Sequence, residues 1–126
     1  MKRIFTILMV AFALVSFKSV PGIEEVVDAL RSGNAAQVAK FFDNTVDITL
    51  PEKSSTYSKA QGEVILRDFF SSNGVKGFQV VHKGDNAGSQ YCIGKLTTKG
   101  RTYRTTVYMK QKGDRQFLQE IRFENE

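Results

Sequence analysis

Residues 101–124, RTYRTTVYMKQKGDRQFLQEIRFE, decide the fold class of this 126-residue chain. From Arg101 to Lys112, Tyr103, Thr105, Val107 and Met109 fall on one face, and Arg104, Thr106, Tyr108 and Lys110 on the other. Gly113-Asp114 makes a turn. Phe117, Gln119, Ile121 and Phe123 then alternate with Leu118, Glu120, Arg122 and Glu124. A period of two is the signature of a strand with one face in the core. Two such runs around a short Gly-containing turn predict an antiparallel hairpin.

The pattern extends upstream. Phe78 to Lys83 reads as a strand with Phe78, Val80 and His82 on one face, and Gly84 to Gly88 is a turn cluster. A strand from Gln90 to Thr98 follows, and Lys99-Gly100 closes it as a tight hairpin turn. Nearer the N-terminus the period changes. Ile23, Val26, Val27 and Leu30 form an i, i+3, i+4, i+7 stripe opposite Glu24, Glu25, Asp28 and Arg31, which predicts a helix. Gly33 suits its left-handed end and Asn34 caps a second helix, from Ala35 to about Phe42. Thr45 to Leu50 alternates as a strand stopped by Pro51, with Ser54 to Tyr57 as a short return. Ser58 caps a third, strongly apolar helix, ended by Asn73-Gly74.

A sheet with one apolar face must cover that face, and three helices are available to do so. The fold class expected is α+β: N-terminal helices packed on a curved antiparallel sheet, shaped as a half-open cone. This order of elements resembles the nuclear-transport-factor-2-like (cystatin-like) superfamily over Ile23 to Phe123. Phe41 to Leu50, FFDNTVDITL, is similar to a group of short exported bacterial proteins of unknown function. The resemblance implies a pocket between the concave sheet face and the helices. It also implies that enzymes of the superfamily place an Asp, Glu or His there as general base.

The first twenty residues read differently from the rest. Lys2 and Arg3 precede an uncharged, mostly apolar run from Ile4 to Phe17, the layout of a secretory signal. The run falls short of the roughly 20 apolar residues that span a bilayer. Residues 1–20 are therefore read as a signal peptide and 21–126 as one domain, exported to the periplasm or secreted. Setting aside Lys2, Arg3 and Lys18 takes the formal charge from +5 to about +2, a balance that does not call for a nucleic-acid partner. Cys92 is the single cysteine, so no intrachain disulfide is available; it is expected as a buried apolar side chain.

General-base chemistry needs a shielded titratable group. No carboxylate falls in inward phase on the last four strands: Glu120 and Glu124 alternate outward, as Asp47 does on the first strand. His82, the one histidine, shares phase with Phe78 and Val80 but has no acidic partner in view. One histidine without a second His or Cys does not make a metal site, and no cofactor is expected. The pocket candidates are His82, Tyr91, Tyr103, Thr105 and Gln119, mostly neutral groups among apolar ones, which describe binding better than catalysis. Lys95, Arg104, Lys110 and Lys112 form a candidate cationic patch on the outer face.

The sequence thus points to an exported, non-catalytic module binding a small hydrophobic or anionic ligand or an envelope protein. The alternative is a small hydrolase- or isomerase-like enzyme using His82 in the cone. A homodimer through the outer sheet face would use Leu118 and Tyr108 as anchors.

Overall fold

The computed structural model describes residues 21–126, so the expected signal peptide lies outside the described residues. The elements are α1 (Ile23–Ser32), α2 (Ala35–Ala39), β1 (Phe42–Leu50), β2 (Lys53–Ser58) and α3 (Lys59–Asn73), followed by four strands. These are β3 (Val75–Asn86), β4 (Ser89–Thr98), β5 (Thr102–Lys112) and β6 (Arg115–Asn125). No helix among them is long and apolar enough to cross a membrane.

All six strands form one sheet in the order β2-β1-β6-β5-β4-β3. The pairs are antiparallel except β1 with β6, which is parallel, so the sheet is mixed. That parallel pair explains a difference from the sequence reading. Phe41 and Phe42 were expected to end the second helix, yet α2 stops at Ala39. The Phe41 carbonyl accepts the Leu118 N–H at 2.6 Å, and Phe42 lies opposite Leu118 in the register. Pairing with β6 takes over residues that local helix propensity alone would have kept.

The caps read from the sequence are formed. Gly33 and Gly74 are both left-handed C-caps, and the side chains of Asn34 and Ser58 accept from Gln37 N and Gln61 N. The Gly22 N–H donates to Glu25 Oε1 at 2.6 Å, fixing the start of α1. The α1 stripe goes entirely inside, with Ile23, Val26, Val27 and Leu30 all buried. α3 lies on the β1 side through Gly62. A Cβ there would come within 2.8 Å of Val46 Cγ1, so the helix approaches the strand closely because this residue has no side chain.

Single extra residues bend the sheet into its cone. Val81 is unpaired between Val80, opposite Gly94, and His82, opposite Ile93. On the β5–β6 ladder Gln119 is passed over, since Tyr108 faces Glu120 while Met109 faces Leu118. Such bulges bend a strand and invert the phase of the residues on one side of them relative to the other. Leu118 is consequently fully buried, not outward, and Phe117 turns to the outer side beneath the Arg115 guanidinium, 5.4 Å from its ring centre.

Candidate functional site

The interior of the cone is filled. Phe69 and Phe70 of α3 meet Phe123 of β6 with ring centres 4.8 and 6.0 Å apart, and Phe69 lies 5.2 Å from Tyr103. Thr98 and Thr105 are the buried polar residues, with no charged one buried among the described residues. Both are satisfied locally: Thr105 Oγ1 donates to the Tyr103 carbonyl at 3.3 Å, and Thr98 Oγ1 to the Arg101 carbonyl at 2.7 Å.

Space remains at the mouth. A cleft of about 660 Å³ opens between the β1–β2 turn (Leu50 to Lys53), the end of α3 (Phe69, Ser72, Asn73) and the β5–β6 edge (Arg101, Tyr103, Asn125). Its size falls within the range of small-molecule sites. The buried Tyr103 side chain forms its floor, and the hydroxyl donates to Asn73 Oδ1 at 2.7 Å. Asn73 Nδ2 donates in turn to the Phe69 carbonyl at 2.8 Å, so the amide is held from both ends.

The rim is equally constrained. Thr98 N donates to the Arg101 carbonyl at 2.9 Å, and Arg101 N to Thr98 Oγ1 at 3.2 Å. Lys99 N reaches the carbonyls of Asn73 and Gly74 at 3.2 and 3.0 Å, tying this turn to the end of α3. Arg101 Nη1 donates to Asn125 Oδ1 at 2.8 Å.

Of the five pocket candidates, Tyr103 alone lines this cleft. Thr105 is fully buried beneath it, opposite Gly94 and Phe123. The Val81 bulge turns His82 to the outer face, where it is exposed and its Nε2 lies 2.8 Å from the Tyr91 hydroxyl. Tyr91 pairs with Tyr108 on that same face, its ring packed against the backbone of Gly84. Gln119 sits at the other bulge and donates to Asp43 Oδ2 at 2.7 Å. The geometry therefore separates His82 from the cleft by the whole thickness of the sheet.

Nor do the four basic residues converge. Lys95 and Arg104 are cross-strand partners, whereas Lys110 and Lys112 lie farther along β5, Lys112 about 27 Å from Arg104 at strand rise. Lys95 pairs with Glu126 at 3.4 Å and Lys112 with Asp43 at 2.5 Å. Asp43 is the strongly perturbed carboxylate. Hydrogen bonds from Lys112, from the Asn44 N–H and from Gln119 together outweigh burial and hold its pKa at about 2. This cluster fastens the start of β1 to β5 and β6.

Phe69, Asn73, Arg101 and Asn125 were not singled out as site residues from the sequence. Asn73 read only as a helix stop and Arg101 only as the residue after a turn. Their one available signal was position: both flank the points where α3 and β4 reverse, at the same end of the sheet as Tyr103.

Comparison with known proteins agrees with this architecture. A crystal structure of a DUF4783 family protein from Bacteroides uniformis superposes with a TM-score of 0.79 at 28% identity, covering 86% of this chain and 98% of that one. A protein from Nostoc punctiforme described as having a cystatin-like fold gives 0.63 at 12% identity, over 82% and 72% of the two chains. An NTF2-like protein of unknown function from Cytophaga hutchinsonii gives 0.56 at 11%, over 79% and 81%. These confirm the α+β, nuclear-transport-factor-2-like fold. No curated protein matches the chain. The model of the domain of unknown function DUF4783 matches residues 23–124, nearly all that is described, and the chain belongs to that family.

Proposed function

We propose that the protein is an exported, non-catalytic binding module that takes a small ligand in the cleft at the mouth of the cone. One observation carries this reading: the interior is packed solid with aromatic rings, yet the mouth stays open over a fixed Tyr103–Asn73 pair. A hydrogen-bonded polar pair at the base of a cleft of mixed polar and apolar lining orients a ligand without reacting with it. Export rests on the basic and then apolar first seventeen residues. The enzyme alternative gains no support, because its only base lies across the sheet from the cleft.

The test is native mass spectrometry on protein purified from the envelope of its host, beside a Ser72→Trp variant. Ser72 is exposed and lines the cleft, so the indole fills it without entering the core. An extra mass on the wild type, lost in Ser72→Trp, is expected. Bare protein in both cases overturns the reading.

A further inference from the structure

We infer that the occupant of this cleft is an amphipathic organic acid, its anionic end on Arg101 and its apolar body against Leu50, Phe69 and Tyr103. The inference rests on the binding reading and specifies its ligand class. Arg101 is held in place but not neutralised. Its backbone is locked on both sides by Thr98, and its guanidinium is aimed by the neutral amide oxygen of Asn125. Among the described residues it forms no ion pair, unlike Arg31, Arg67 and Arg122, each of which has a carboxylate within 3.6 Å.

A guanidinium carries five donors in a planar fork, and the Asn125 contact occupies one nitrogen, Nη1. The remaining donors can take a carboxylate in two-point fashion, the strongest mode open to arginine. Lys53 on the facing turn adds a second positive charge against the single negative charge of Glu52, so the lining is net cationic. The same lining includes Leu50, Pro51, Phe69 and the ring of Tyr103. A purely inorganic anion would leave that surface wet, and a purely apolar ligand would leave the remaining guanidinium donors unused. Only a ligand with both parts uses the whole cleft.

The probes are 4-phenylbutyrate and its neutral analogue 4-phenylbutan-1-ol, titrated into the purified protein and followed by amide chemical shifts. The acid is expected to move Phe69, Asn73 and Arg101 and to bind about tenfold more tightly than the alcohol. Arg101→Gln should abolish that preference, the acid then binding no more tightly than the alcohol. Equal affinity for both probes, or an acid preference surviving Arg101→Gln, overturns the acid class and leaves the binding reading intact. Absence of shifts at these residues with either probe also overturns it. The binding reading then stands or falls on the native mass alone.

Discussion

The Tyr103 hydroxyl donates to Asn73 Oδ1 across 2.7 Å, joining the start of β5 to the last residue of α3. This bond closes the floor of the cleft and adds to the Phe69–Tyr103 packing and the Lys99 N–H bonds at the same end of α3. Tyr103→Phe keeps the ring and removes the donor. Asn73 is half-buried, so part of its lost partner is replaced by water. Destabilisation of about 1 kcal/mol is expected, seen as a fall of about 5 °C in Tm by calorimetry. No change in Tm would mean that Phe69, through Asn73 Nδ2, already fixes the amide.

Leu118 and Tyr108 make opposite predictions although both alternate outward in the sequence. Leu118 is fully buried, and Leu118→Lys places an unpaired ammonium in the core; the chain should fail to fold or lose most of its secondary structure by circular dichroism. Tyr108 is 37% exposed, and Tyr108→Lys should change stability by less than about 0.5 kcal/mol. If the outer face self-associates, Tyr108 is its exposed aromatic anchor. The same variant would then shift a dimer to monomer in sedimentation velocity.

These two residues also show how far the sequence could be read. Helix spans, caps and strands emerge from period and punctuation, since those signals act over neighbouring residues. The inward set on β5 (Tyr103, Thr105, Val107, Met109) matches its alternation through the whole strand. On β3 the same rule works only up to Val80, and on β6 it holds only from Ile121 onward, past the extra residue Gln119. A bulge adds one residue and inverts the side chains on one side of it relative to the other, and nothing in the local composition marks it. His82 and Leu118 both lie next to such a residue, which is why each occupies the face opposite to its apparent phase. The cleft was legible only through Tyr103, because its other walls come from segments that meet solely in three dimensions.

Gly94 tests the close packing at the curved end of the sheet. A Cβ at this position would sit 2.5 Å from the Gln79 carbonyl oxygen and overlap the Phe78 ring. The ring can swing, but the carbonyl belongs to the paired strand β3 and cannot. Gly94→Ala should therefore cost about 2 kcal/mol or more in urea unfolding. Gly77→Ala is the control: no atom lies within 4 Å of its added carbon, and it should be neutral.

Cys92 is fully buried opposite Val107, and burial pushes its thiol up to about 11. A protonated, inaccessible thiol is a poor nucleophile. Ellman's reagent should label the native protein only as fast as it unfolds and label it at once in denaturant. Rapid native labelling would show that β4 opens locally, and an intermolecular disulfide would then become available.

Asp43 sets the acid limit of the fold. Its carboxylate accepts from Lys112, Gln119 and the Asn44 N–H, and its pKa falls from 3.8 to about 2. A carboxylate whose pKa is lower folded than unfolded adds stability that is fully present above the unfolded value. That stability disappears as pH falls through the folded value. The window is thus from about pH 4 down to about pH 2. The full shift corresponds to about 2 kcal/mol, and the half-exposed ammonium of Lys112 screens this toward about 1 kcal/mol. Asp43→Asn should lower stability near neutral pH by that amount and flatten this part of the pH profile. Gln119→Ala should reproduce a smaller part of the same loss, because the Lys112 contact, the largest contributor, is left in place. A wild-type profile equally steep after Asp43→Asn would assign the acid sensitivity to another carboxylate and reduce the junction of β1, β5 and β6 to a packing contact.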